Sequence, residues 1–221
     1  MERLIKPATL IDVLGILLPG AILVLAVNFY GLLDVAAPWK ALFGSGDIPM
    51  LIYFAGASYL CGSVIHQLGA YLEKALAAGP MHKKNLHKKF WENEEVRSAY
   101  QKCFSKEPPT ASADMTAEKL REEQIKAGKK IFHLIQQGER PQRIVLFSAF
   151  YAMSRAMVLT LICVAVMICC KECLELRTIG LELLCATGIV VFSLRWKQYE
   201  AMCVEEAYLL FVQRYCGNKN S

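Results

Sequence analysis

The sequence predicts an all-α membrane protein: four transmembrane helices in two hairpins that flank a helical cytoplasmic insert, with both termini cytoplasmic. Three observations predict it. Long apolar stretches with at most one charge occur four times, basic residues gather on alternate connections only, and no alternating pattern marks a strand. Hydrophobic residues make up 55% of the 221, yet 20% are charged, so the charges are confined to particular segments. A net charge of +5 is too small to mark a nucleic-acid binder by itself.

The first hairpin takes residues 1–78. Between Asp12 and Asp34 lie 21 residues without a formal charge, about 31 Å of helix at ~1.5 Å per residue. Thr9 to Asp12 reads as a capping box that starts this helix, and Tyr30 and Trp39 fall where an outer aromatic belt would lie. The run is too long for a secretory h-region and lacks a small-x-small cleavage site, so it reads as a retained span. Pro19 and Gly20 sit inside it as a hinge, because proline removes a backbone donor and loosens the helix around it. After the turn residues "FGSGDIP" (43–49), 25 uncharged residues separate Asp47 from Glu73 and form the second span.

Residues 141–195 form the second hairpin and 196–221 a cytoplasmic C-terminal helix. The third apolar region runs from Ile144 to Cys170 with one charge, Arg155; the fourth runs from Thr178 to Leu194 with one, Glu182. A turn centred near Leu174 places Arg155 level with Ser193, and Glu182 about 16 Å further along the axis, so these two charges do not pair. The apolar stretch 144–154 then extends past the membrane and needs cover from other helices or another copy.

Lysine and arginine set the orientation. Fifteen lie from Glu73 to Arg143, against ten acidic residues, whereas the two opposite connections hold only Lys40, Lys171 and Arg177. The insert, residues 79–140, therefore faces the cytoplasm. Leu86, Phe90, Tyr100 and Phe104 suggest one amphipathic helix; "SKEPPTASA" (105–113) is a loop; and Leu120, Ile125, Phe132 and Ile135 mark a second helix from an Asp114 cap to Gly138. Pro141 suits the first turn of the third span.

Two constellations bear on function. In the second span Ser58, Gly62, His66, Gly69 and Glu73 recur at three- and four-residue steps, one small and polar face on an oily helix. That face either packs against a neighbouring helix or lines an aqueous path in a pore. In the insert, Lys83, Lys84, Lys88, Lys89 and Trp91 form one basic-aromatic cluster, and Lys129, Lys130, Arg140 and Arg143 a second. Cations for phosphates beside aromatic faces for bases suit single-stranded nucleic acid, while the same lysines also suit anionic lipid headgroups.

Other candidates carry less. His82 and His87 are five apart and point about 140° away from each other on a helix, which is poor for joint coordination. Cys169, Cys170 and Cys173 fall short of the four ligands of structural zinc and read as apolar filling or a disulfide. No metal or cofactor is expected. No catalytic residues are expected either: the sequence has no H-E-x-x-H, nucleophile elbow or glycine-rich phosphate loop.

Four short motifs occur together: "LLPG" (17–20), "CGSVIHQLGAYLE" (61–73), "FYAMSRAM" (150–157) and "EEAYLLF" (205–211). In this combination the chain resembles small bacterial membrane effectors of anti-phage defence, most nearly that of the Hailong system. The resemblance implies a multi-pass protein of the bacterial inner membrane that assembles into a homo-oligomeric ion channel; a tetramer is taken as the working assembly. It also implies a partner nucleotidyltransferase whose short single-stranded DNA holds the channel shut. The alternative is a non-conducting scaffold or transporter accessory subunit that docks a cytoplasmic protein.

Overall fold

The computed structural model describes residues 11–31, 46–77, 89–110, 116–137, 142–171 and 176–216. Every element among them is helical. A π-helical segment, Ile11–Leu17, leads into α1, Leu18–Phe29; then come α2, Asp47–Ala77; α3, Glu94–Phe104; α4, Ala117–Gln137; α5, Gln142–Lys171; and α6, Leu176–Cys216. Three helices, α2, α5 and α6, are long and apolar enough to cross a membrane; the apolar part of the first, Gly15–Phe29, is shorter. The chain divides into two compact units: residues 1–74 with 148–199, called here the apolar unit, and residues 75–147 with 200–221, the aromatic unit.

In the apolar unit, α1 ends earlier than the uncharged run does. Gly31 adopts a left-handed φ of +58° and its N–H bonds the Asn28 carbonyl at 3.1 Å, a glycine stop after Phe29. Pro19 enters directly after the π-helical segment. Proline cannot donate to the preceding turn and its ring crowds the carbonyl four residues back, and a widened turn there gives the ring room. The capping box at Thr9, the belt residue Trp39 and the turn at 43–45 lie outside the described residues.

α5 and α6 run antiparallel in this unit. Phe150 stacks on Tyr199, Tyr151 meets Trp196 edge to face, Leu161 fills the space beside Gly188, and the Cys169 thiol bonds Glu182. All four pairs are centred between residues 173 and 176, the register that a turn near 174 predicts. α5 is enclosed nearly all round from Ala152 to Thr160, whereas α2 and α6 leave long apolar flanks uncovered, among them Leu51, Leu60, Val64, Leu183, Leu184 and Leu194.

The aromatic unit is organised in the opposite way. Val96, Ala99 and Tyr100 of α3, Ala127, Ile131 and Ile135 of α4, and Ala207, Tyr208 and Phe211 of α6 bury one stripe each at helical spacing and share a core with Trp91 and Ile144. Ile144 thus gives the start of the 144–154 stretch its cover within the chain. The single helix expected from Leu86 to Phe104 is interrupted. Asn93, extended at φ −79° and ψ 125°, caps α3 by accepting the Glu95 N–H at 2.8 Å, and Glu94 and Glu95 add negative charge at the helix N-terminus. Phe90 and Trp91 therefore sit on a separate helical turn before the cap. α4 begins at Ala117 and reaches Gln137; Asp114, Gly138 and Pro141 lie outside the described residues.

Candidate functional site

The small and polar face of α2 serves two neighbours rather than one. Its N-terminal half meets the first helix so closely that a Cβ on Gly20 would overlap the Ser58 carbonyl oxygen and lie 2.6 Å from the Gly62 nitrogen. A Cβ on Gly62 would likewise overlap the Ile16 carbonyl oxygen. This is a small-xxx-small crossing, Ser58 to Gly62, in which absent side chains let two backbones touch. Pro19 and Gly20, the expected hinge, are buried at this crossing.

The C-terminal half of the face meets α5. Gly69 leaves room for the Arg155 side chain, whose Cγ and Nε would lie 3.4 Å from a Cβ there. One turn further, Glu73 accepts a hydrogen bond from Arg155 Nη1 at 2.7 Å, with the two side chains 18% and 10% exposed. The Arg155 guanidinium also lies 5.7 Å from the centre of the Tyr151 ring. His66, half-buried, falls between the two halves. Sequence reasoning placed Glu73 on this face and kept Arg155 apart from Glu182, but it did not join Arg155 to Glu73. The signal was available: both charges lie toward the insert-proximal ends of their spans, and an ionised group in an apolar segment seeks a partner at its own depth.

At the far end of the same unit, the Cys169 thiol donates to Glu182 Oε1 at 2.9 Å, and Cys170 is exposed. Cys173 lies outside the described residues. Among the described residues no group of three or more potential ligands could hold a metal ion.

In the aromatic unit, the expected polyanion residues divide. Lys89, Lys129, Lys130 and Arg143 are exposed, and Lys126 extends the α4 cluster while pairing with Glu122 at 3.7 Å. Lys83, Lys84, Lys88 and Arg140 lie outside the described residues. Trp91 differs from the expectation for a base platform: it is only 3% exposed, and its Nε1 donates to the Gln124 carbonyl at 3.2 Å. Tyr100 and Tyr208 contact it edge to face, and Phe90 stacks on Tyr208 at 4.6 Å. An indole held this way contributes to the core and offers no face to a base in this conformation. Burial, then the nearby Cys103 and Glu123, pushes the Tyr100 phenol above its usual pKa. The stability tied to the neutral phenol is therefore present at neutral pH and lost as pH rises through the raised value.

No protein-family model matches the chain, and neither curated proteins nor solved structures give a match.

Proposed function

We propose that the chain is a subunit of a homo-oligomeric, regulated ion channel of a bacterial inner membrane, an effector of anti-phage defence that lacks a catalytic step. In this reading four helices span the bilayer, the first formed by the π-helical segment together with α1, and the aromatic unit faces the cytoplasm together with both termini. The observation that carries it is the polar interior of an oily unit. Arg155 and Glu73 are enclosed in a unit whose outward flanks on α2 and α6 are leucine, isoleucine and valine. Ionisable side chains are costly inside a membrane segment, and they mark ion or water pathways when they face the bundle. The uncovered flanks provide area for lipid and for other copies, with a tetramer as the working assembly.

The regulator in this reading is a short single-stranded DNA supplied by a partner nucleotidyltransferase and bound at the basic surface. Lys89, Lys129, Lys130 and Arg143 would contact phosphates, joined by Lys83, Lys84, Lys88 and Arg140. Trp91 is withdrawn from the ligand set because its ring is buried.

The non-conducting scaffold is kept as a second reading because one observation favours it. The Ser58–Gly62 half of the small-residue face is filled by the first helix, so that half lines no conduit within one chain. Liposome flux separates the two. The channel reading expects ion flux from the purified protein in DNA-free vesicles, suppressed by a single-stranded oligothymidine, with log affinity falling by about 0.7 per phosphate contact for each tenfold rise in salt. No flux with or without the oligonucleotide leaves the scaffold. Flux without oligonucleotide binding removes the DNA.

A further inference from the structure

The Glu73–Arg155 pair carries an inference about how the apolar unit changes state. Its flux arm rests on the channel reading; its structural arm does not. Three contacts fix the guanidinium: the Glu73 carboxylate at 2.7 Å, the Tyr151 ring at 5.7 Å, and the slot at Gly69 along which its stem lies. The hold is nevertheless incomplete. Arg155 Nε is buried without a hydrogen-bond partner among the described residues, and a buried donor left unmade is a standing cost.

A buried ion pair gives little stability over two well-packed apolar side chains, because desolvating both charges offsets their attraction. Leucines at 73 and 155 would join α2 to α5 at no such expense. A pair that is closed here and short of one partner is instead suited to two states: one dry and paired, the other parted, with both charges and the idle Nε hydrated. Parting requires water to enter between α2 and α5, since the Arg155 guanidinium, its Nε already unmet, is not stable in an oily setting without the carboxylate.

We propose that Glu73 and Arg155 form a latch that holds α2 against α5 in the closed state, and that its release admits water between the two helices. The arginine stem runs beside Gly69, where an added Cβ would lie in ordinary contact with its Cγ and Nε at 3.4 Å.

The test uses the full chain in nanodiscs and in liposomes. Four variants are compared with the parent: Glu73→Gln, Arg155→Gln, the reversal Glu73→Arg with Arg155→Glu, and the pair Glu73→Leu with Arg155→Leu. Backbone hydrogen exchange is followed over residues 62–73 and 150–160, and ion flux is followed with and without single-stranded oligothymidine. Each single variant removes the charge-assisted bond between α2 and α5, and Glu73→Gln also takes the carboxylate from the buried guanidinium, so exchange in both segments should quicken by roughly tenfold or more. The reversal should return exchange to the parent rate. The leucine pair should hold exchange at or below the parent rate and abolish the change in flux on removing the oligonucleotide.

Single variants that exchange like the parent overturn the latch, as does a leucine pair whose flux is regulated like the parent's. Should the single variants fail to fold, the reversal and the leucine pair decide the matter by the same criteria. Faster exchange in the single variants, restored by the reversal, with no flux from any protein, upholds the latch and removes the channel reading. Regulated flux with unchanged exchange does the opposite.

Discussion

The apolar unit and the aromatic unit are inverted copies of one packing problem. In the first, leucine and isoleucine face outward while Ser58, Gly62, Ser154, Arg155 and Thr160 are inside. In the second, Trp91, Tyr100, Tyr208 and Phe211 are inside while Lys89, Glu94, Glu118 and Lys129 face outward. The difference shows that burial alone does not hold both together. In water, removing aromatic area from solvent contributes ~25 cal/mol per Å². In hydrocarbon, leucine against leucine gains nothing over leucine against lipid, so cohesion has to come from close backbone approach and polar pairs. The glycine crossing and the Arg155–Glu73 bond supply those two, and the same chain switches strategy within α5 and within α6.

Opposite changes of size should therefore damage the two units. In the aromatic unit, Trp91→Ala removes the central ring and should cost about 3–5 kcal/mol, read as earlier denaturant unfolding of detergent-solubilised protein. In the apolar unit, Gly62→Ala adds one methyl group. On an open helix that exchange gains about 1 kcal/mol, but here the methyl would overlap the Ile16 carbonyl, so the sign reverses. A stabilised Gly62→Ala protein would show that the first helix does not touch α2.

The next comparison uses one substitution at two exposed leucines. Leu60 on α2 is 69% exposed and Leu209 on α6 is 52% exposed. If the apolar flank meets lipid, Leu60→Lys should cost about 2.5–3.5 kcal/mol in a membrane-insertion assay, since the position is near the middle of the span. Leu209→Lys on a water-facing surface should stay within about 0.5 kcal/mol. Equal effects at the two sites would erase the distinction between the units.

Much of the helical framework was legible because charge depletion and periodicity are local signals. The uncharged run after Asp47 marked α2, and the α5–α6 register followed from placing one turn near residue 174. The side of α2 that matters was legible too, from the spacing of Ser58, Gly62, Gly69 and Glu73. Which neighbour each half meets was not, because spacing gives a face but no partner; the pairing of Glu73 with Arg155 depends on α5 lying beside α2. Trp91 misled for a related reason. A tryptophan beside lysines reads equally as a platform or as the edge of a core, and only the positions of Gln124, Tyr100 and Tyr208 decide it.

The smallest expected effect sharpens the comparison most, because it asks whether the units unfold together. Asn93 belongs to the aromatic unit, where its side chain accepts the Glu95 N–H at the start of α3. Asn93→Ala should remove about 1 kcal/mol from α3, and Asn93→Asp should keep the cap and add favourable charge at the helix N-terminus. Hydrogen exchange localises the loss. Faster exchange confined to 94–104 and its core partners on α4 and the tail of α6, with α2 unchanged, means the two units open independently. If residues 58–69 of α2 quicken by the same factor, the continuous helices α5 and α6 transmit the loss, and the two packing strategies belong to one cooperative structure.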